Sequence, residues 1–189
     1  QFSIGYEADP ERKSINYGFA SPRIFGKEIS LDINYADTSD GENSHLYFGR
    51  PFYSSESKWA FGLVNVLTNQ VEAIDQNEVT KNEYLHKSEL HEVYGGFAVH
   101  VGEEDVSRIY LGSTVDRHQF FVTDFVQSAP PEMRELKYLW FGVEWIKNNF
   151  SVYRNINQIQ RVEDIRVGPR LKFRFGYGDS NFENDESVS

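Results

Sequence analysis

Residues 165–177 alternate with almost no error. Ile165, Val167, Pro169, Leu171, Phe173, Phe175 and Tyr177 share one phase, while Arg166, Gly168, Arg170, Lys172, Arg174 and Gly176 share the other. Side chains on a strand change face at every residue, so this pattern predicts one extended strand about 40 Å long at roughly 3.3 Å per residue. Strands in soluble proteins are commonly half that length. With an apolar, aromatic phase on one side and guanidinium groups and glycines on the other, the ribbon suits a wall between lipid and a wet, crowded interior. It suits a sandwich of two sheets less well.

The period recurs along the chain. Ile29, Leu31, Ile33 and Tyr35 oppose Glu28, Ser30, Asp32 and Asn34; Leu139, Phe141, Val143 and Trp145 oppose Tyr138, Trp140, Gly142 and Glu144. Val93, Gly95, Phe97, Val99 and Val101 form another apolar phase, and Ile109, Leu111 and Val115 share a face with Ser113. No comparable segment keeps a 3.6-residue period. The expected fold is all-β, an antiparallel meander of about ten long strands forming a transmembrane β-barrel or part of one. These strands are placed near residues 1–8, 14–20, 27–36, 44–50, 57–69, 88–101, 106–116, 135–147, 150–157 and 164–178. Residues 1–189 read as a single barrel segment, with 179–189 a disordered tail or the start of a further connection. Short connections (21–26, 51–56, 102–105, 147–149) alternate with longer polar ones (37–43, 70–87, 117–134, 157–163). In a meander this predicts compact turns at one rim and long loops at the other.

Composition narrows the function classes. No run of 18 apolar residues exists, which excludes a transmembrane helix but not a barrel, whose strands hide their apolar half in every second position. The net charge of −10 argues against nucleic acid as a partner, because the Lys and Arg residues are interleaved with Asp and Glu. The chain opens on a strand-like segment with no targeting signal, so the native N-terminus is expected to be trimmed or to lie upstream. No nucleophile elbow, zinc-protease motif or phosphate-binding glycine loop is present, and neither catalysis nor a cofactor is expected. Five His residues raise the question of metal. His86 and His91 fall on opposite faces of one strand, and His45, His100 and His118 have no ligand partner at a useful spacing, so no metal site is expected.

The candidate functional residues are charges on the polar phases. Arg166, Arg170, Lys172 and Arg174 would face the lumen and need counter-charge, for which Glu28, Asp32, Glu92 and Glu144 are the candidates. The set reads either as a polar channel or plug-binding wall, or as an internally paired face that keeps the barrel open. Trp59, Phe61, Tyr138, Trp140, Phe141, Trp145 and Phe150 are candidates for interfacial aromatic girdles.

Three stretches carry a family resemblance. Residues 19–26 (FASPRIFG) followed by an alternating strand, residues 49–52 (GRPF) and residues 162–168 (VEDIRVG) resemble words of the bacterial surface antigen barrels, the BamA and TamA family. The resemblance implies an outer-membrane barrel of sixteen strands preceded by periplasmic repeat domains, acting in insertion or export of other proteins. Outer-membrane lipid and a client or secreted polypeptide would be its partners. The first strand, with Phe2, Ile4 and Tyr6, would be a lateral edge for pairing with client strands. The family's Arg-Gly-aromatic triplet is not found, nor is its closing strand with a terminal aromatic residue. The expectation is therefore that this is the N-terminal part of the barrel. Two alternatives stand beside it: a soluble lipocalin-like or β-sandwich binding domain with its apolar phases turned inward, and a ten-stranded surface-protease barrel.

Overall fold

The computed structural model describes residues 1–8, 12–76, 79–123, 130–147, 150–154, 162–166 and 168–178, with the backbone alone within 73–82 and 150–166. The expected tail at 179–189 lies outside the described residues. Eleven strands are present: β1 (Phe2–Ala8), β2 (Lys13–Ser21), β3 (Ser30–Thr38), β4 (Gly41–Arg50), β5 (Trp59–Gln76), β6 (Val79–Val101), β7 (Asp105–Val122), β8 (Arg134–Lys147), β9 (Phe150–Arg154), β10 (Val162–Arg166) and β11 (Arg170–Gly178). Nine of them form one antiparallel sheet in the order β1-β2-β3-β4-β5-β6-β7-β8-β11, with β1 and β11 as its two edges, while β9 and β10 pair with each other. The all-β meander is as the alternation predicts. The sheet is open.

The 165–177 alternation is interrupted. Backbone pairing runs from Arg154 opposite Val162 to Phe150 opposite Arg166, and resumes with Ile146 opposite Arg170. Stepping eight residues along each strand leads from the first pair to the last, so one register passes through both ribbons. Pro169 lies at the break; it has no N–H to give to a ladder, although its carbonyl accepts from the Lys147 N–H at 3.0 Å. Residues 148 and 149 of the expected tight turn lie outside the described residues. β9 continues the register of β8.

Loop lengths also do not sort by rim as expected. Residues 70–87 form paired ribbon rather than loop, from Gln70 opposite His86 through a shift between Ile74 and Asp75 to Gln76 opposite Val79. Thr38 pairs with Gly41, leaving Ser39 and Asp40 as the turn between β3 and β4. Val71, Ile74, Val79 and Thr80 are good strand formers, and a ladder satisfies the backbone however polar the side chains are. At the opposite rim, residues 22–29 and 51–58 are connections of eight residues each, although 102–104 is short as expected. In the first of these Phe25 and Gly26 both take positive φ (54° and 69°), which turns the chain sharply into β3.

The two phases of the sheet meet different surroundings. Leu111 and Leu139 are 67% and 64% exposed, whereas Arg108 and Glu144, in the opposite phase of the same two strands, are 5% and 2% exposed. No second layer of strands covers a face of this sheet among the described residues, so the polar face is buried by the curl of the sheet and by the connection between β4 and β5. Gly62 lies opposite Tyr94, Gly112 opposite both Tyr94 and Trp140, and Gly96 and Gly142 opposite Tyr110. Large rings thus fill the space over glycines of the adjoining strands. A Cβ built on Gly112 would come within 2.5 Å of the Trp140 ring, and one on Gly96 within 3.0 Å of the Tyr110 ring. On the convex side Tyr17, Ile33, Leu63, Phe97, Leu111, Phe141 and Phe175 are all exposed, in a band that crosses the sheet from β2 to β11.

Candidate functional site

The concave face of β6, β7, β8 and β11 gathers the charged side chains. Glu144 projects from the C-terminal part of β8, where Tyr110 Oη donates to it at 2.8 Å and Arg108 Nη1 at 3.3 Å, both from β7. From β11, Arg170 Nε donates to the second carboxylate oxygen at 2.5 Å. Two residues farther along β11, the Lys172 ammonium sits 4.8 Å from the centre of the Tyr110 ring. Arg174 reaches Glu92 of β6 at 2.7 Å and Thr114 Oγ1 at 2.8 Å, with its guanidinium 3.8 Å from the Trp140 ring centroid. Thr114 donates in turn to Glu92 at 2.8 Å and accepts from Trp140 Nε1 at 3.1 Å. The register makes this possible, because strict alternation brings Arg108 opposite Glu144 and Glu144 opposite Lys172.

The connection between β4 and β5 folds over this face. Phe52 meets the Tyr110 ring edge-on at 5.7 Å and lies 4.2 Å from the Arg108 guanidinium, whose Nη2 donates to the Ser54 carbonyl at 2.8 Å. A pocket of about 340 Å³ remains between this connection and β11, lined by Glu92, Tyr94, Arg108, Trp140, Lys172 and Arg174 among others. Four cations here face two carboxylates. The arrangement fixes charge in place and presents ring faces, as a wall for a polar or anionic occupant would. No family model matches the chain, and no curated protein matches it.

Of the expected lumen-facing set, Arg170, Lys172, Arg174, Glu92 and Glu144 come together, while the side chain of Arg166 lies outside the described residues. Glu28 and Asp32 do not join them. Glu28 pairs at 2.7 Å with Arg50, beyond the rim of β3, and Asp32 bonds Asn34 and lies 3.8 Å from His45. The reason is topological: four strands separate β3 from β8, and an open sheet cannot fold β3 onto β11. Phe2, Ile4 and Tyr6 lie on the edge strand β1, exposed, opposite Phe19, Tyr17 and Ile15. The girdle candidates divide. Trp59 and Phe141 are exposed on the convex side, whereas Trp140 and Tyr138 turn inward against Arg174, and the side chain of Phe150 lies outside the described residues.

Sequence reasoning missed Arg108, Tyr110, Thr114 and the cover provided by Phe52. For the first three the signal is the even-numbered phase of residues 106–114, which carries one cation where residues 165–177 carry four.

Proposed function

We propose that this chain is part of the wall of an outer-membrane β-barrel of the surface antigen type, acting in assembly or export of other polypeptides. The observation that carries the reading is the inversion of the sheet: guanidinium and carboxylate buried, leucine exposed. In water, exposing an apolar band that crosses the sheet from β2 to β11 is unfavourable by roughly 25 cal/mol per Å²; in hydrocarbon it costs nothing. A lipocalin-like domain needs Leu111, Leu139, Phe173 and Phe175 inside, and these four are among the most exposed apolar residues of the described chain. The resemblance of residues 19–26, 49–52 and 162–168 supplies the family, and with it the assembly or export role, the periplasmic repeats and the bacterial outer membrane. In this reading the cationic face lines the lumen and does no covalent chemistry.

The chain contains no Cys, so single cysteines report position without background. With a fluorophore attached at Cys replacing Leu111, Leu139 or Phe173, brominated lipid should quench emission in proteoliposomes, while aqueous iodide should quench a label at Lys172. The reverse pattern would sink the membrane reading. For the assembly role, a photo-crosslinker at Ile4 should capture nascent outer-membrane protein on the β1 edge, and persistent failure to capture any client would remove that role while leaving the wall intact.

A further inference from the structure

The structure brings together two histidines that sequence spacing keeps apart. His86 on β6 and His118 on β7 both face the concave side near the tall-ribbon rim, offset by one register step, since His118 pairs with Ser88. His86 Nε2 lies 2.9 Å from His118 Nδ1. Each ring is held from behind by a carboxylate: His86 Nδ1 is 2.6 Å from Glu72 of β5, and His118 Nε2 is 3.1 Å from Asp116. Phe120 stacks on the His86 ring at 4.4 Å, fixing its plane.

We propose that His86 and His118 form a binding site for a borderline divalent transition metal, Zn²⁺ or Cu²⁺. Histidine ligands characteristically donate their distal N–H to a carboxylate, which sets the tautomer and makes the inner nitrogen more basic. That outer shell is present here twice, and the two inner nitrogens meet 2.9 Å apart with their rings stacked at 5.2 Å. Metal–nitrogen bonds of about 2.0–2.1 Å at a tetrahedral angle need the nitrogens about 3.3 Å apart, so the rings have to separate by only about 0.4 Å. Charge agrees. Glu72 and Asp116 bring two negative charges and Arg134, opposite His118 in the β7–β8 register and 3.5 Å from Asp116, brings one positive, so the cluster keeps a net negative charge that favours a cation. Among the described residues no group of three or more His, Cys, Asp or Glu ligands surrounds this point. Water from the lumen therefore completes the coordination, and the affinity is that of a two-histidine site. The site does not depend on what the convex face meets.

The test is calorimetric titration of the refolded full chain in detergent with Zn²⁺ alone and with Cu²⁺ alone, beside H86A, H118Q and, on the convex face, H91A. One ion per chain is expected, lost at least tenfold in H86A and in H118Q and unchanged in H91A. E72Q should weaken binding about 10- to 100-fold while the circular dichroism of the sheet stays the same. Bound Cu²⁺ should give an electron paramagnetic resonance spectrum with coupling to two nitrogens. Equal affinity in wild type, H86A and H118Q, or no binding by the wild type, would overturn the proposal; in the second case the pair shares a proton instead.

Discussion

Replacing Glu144 with Gln removes a charge that is 2% exposed and leaves Arg108 and Arg170 facing a neutral amide. Breaking a buried pair from one side costs about 3–5 kcal/mol, so E144Q should lose that much in urea unfolding from detergent, followed by Trp emission. R170A should cost less, about 1 kcal/mol or under, because that side chain is largely solvated. Gly112 makes a sharper test of packing. G112A drives a methyl group into Trp140 and should lose about 1–3 kcal/mol by the same measurement. These residues were legible in unequal degree. Arg170, Lys172 and Arg174 announce themselves by alternation, and Glu92 and Glu144 follow from phase. Glu28 was misassigned because its phase was read as if β3 continued through the turn, where the side chain instead pairs with Arg50. His86 and His118 could not be paired from sequence at all, since only the β6 to β7 register brings them together.

At the scale of elements, the turn between β3 and β4 is tied to the start of β2 by the ion pair of Arg12 with Asp40. Burial alone would raise the Asp40 carboxyl, but hydrogen bonds from Arg12 and Thr38 outweigh it and hold the group below its ordinary value. A carboxylate depressed in the folded state contributes stability that is complete above its unfolded value, near pH 4, and fades as pH falls through the lower folded value. D40N should therefore unfold more easily at neutral pH by about 0.2–1 kcal/mol, and should show a flatter acid limb below about pH 4. The connection over the pocket offers a second element to perturb. F52A removes the ring between Arg108 and Tyr110, and iodide should then quench Trp140 more strongly, with little change in the far-ultraviolet spectrum. Element boundaries were the least legible part of the fold. The 165–177 alternation survives as register but not as one ladder, because Pro169 keeps the period while withholding a donor. Residues 70–87 looked like loop because they are polar, yet strand pairing depends on the backbone.

For the molecule as a whole, phase assignment was legible and closure was not. Among the described residues the apolar phases named from the sequence lie on the convex side, except that a bulge between Ala98 and His100 turns Val101 to the side of Val106. Refolded without detergent, the chain should sediment as large aggregates. In dodecyl maltoside it should run as a discrete species, and analytical ultracentrifugation distinguishes the two. How β1 and β11 meet other strands depends on neighbours that alternation within 189 residues does not encode.

The ring-over-glycine pattern of the concave side has a historical corollary. Tyr94 needs Gly62 to stay small, Trp140 needs Gly112 and Tyr110 needs Gly96, so each ring of this checkerboard is answerable to a glycine of the adjoining strand. Enlarging one position is tolerable only when its neighbour shrinks. Substitution at Gly112 together with Trp140 should show non-additive energies in a double-mutant cycle. Lineages drifting along this surface would then have to change residues in cross-strand pairs, whereas the apolar convex side is free to exchange one aliphatic residue for another singly.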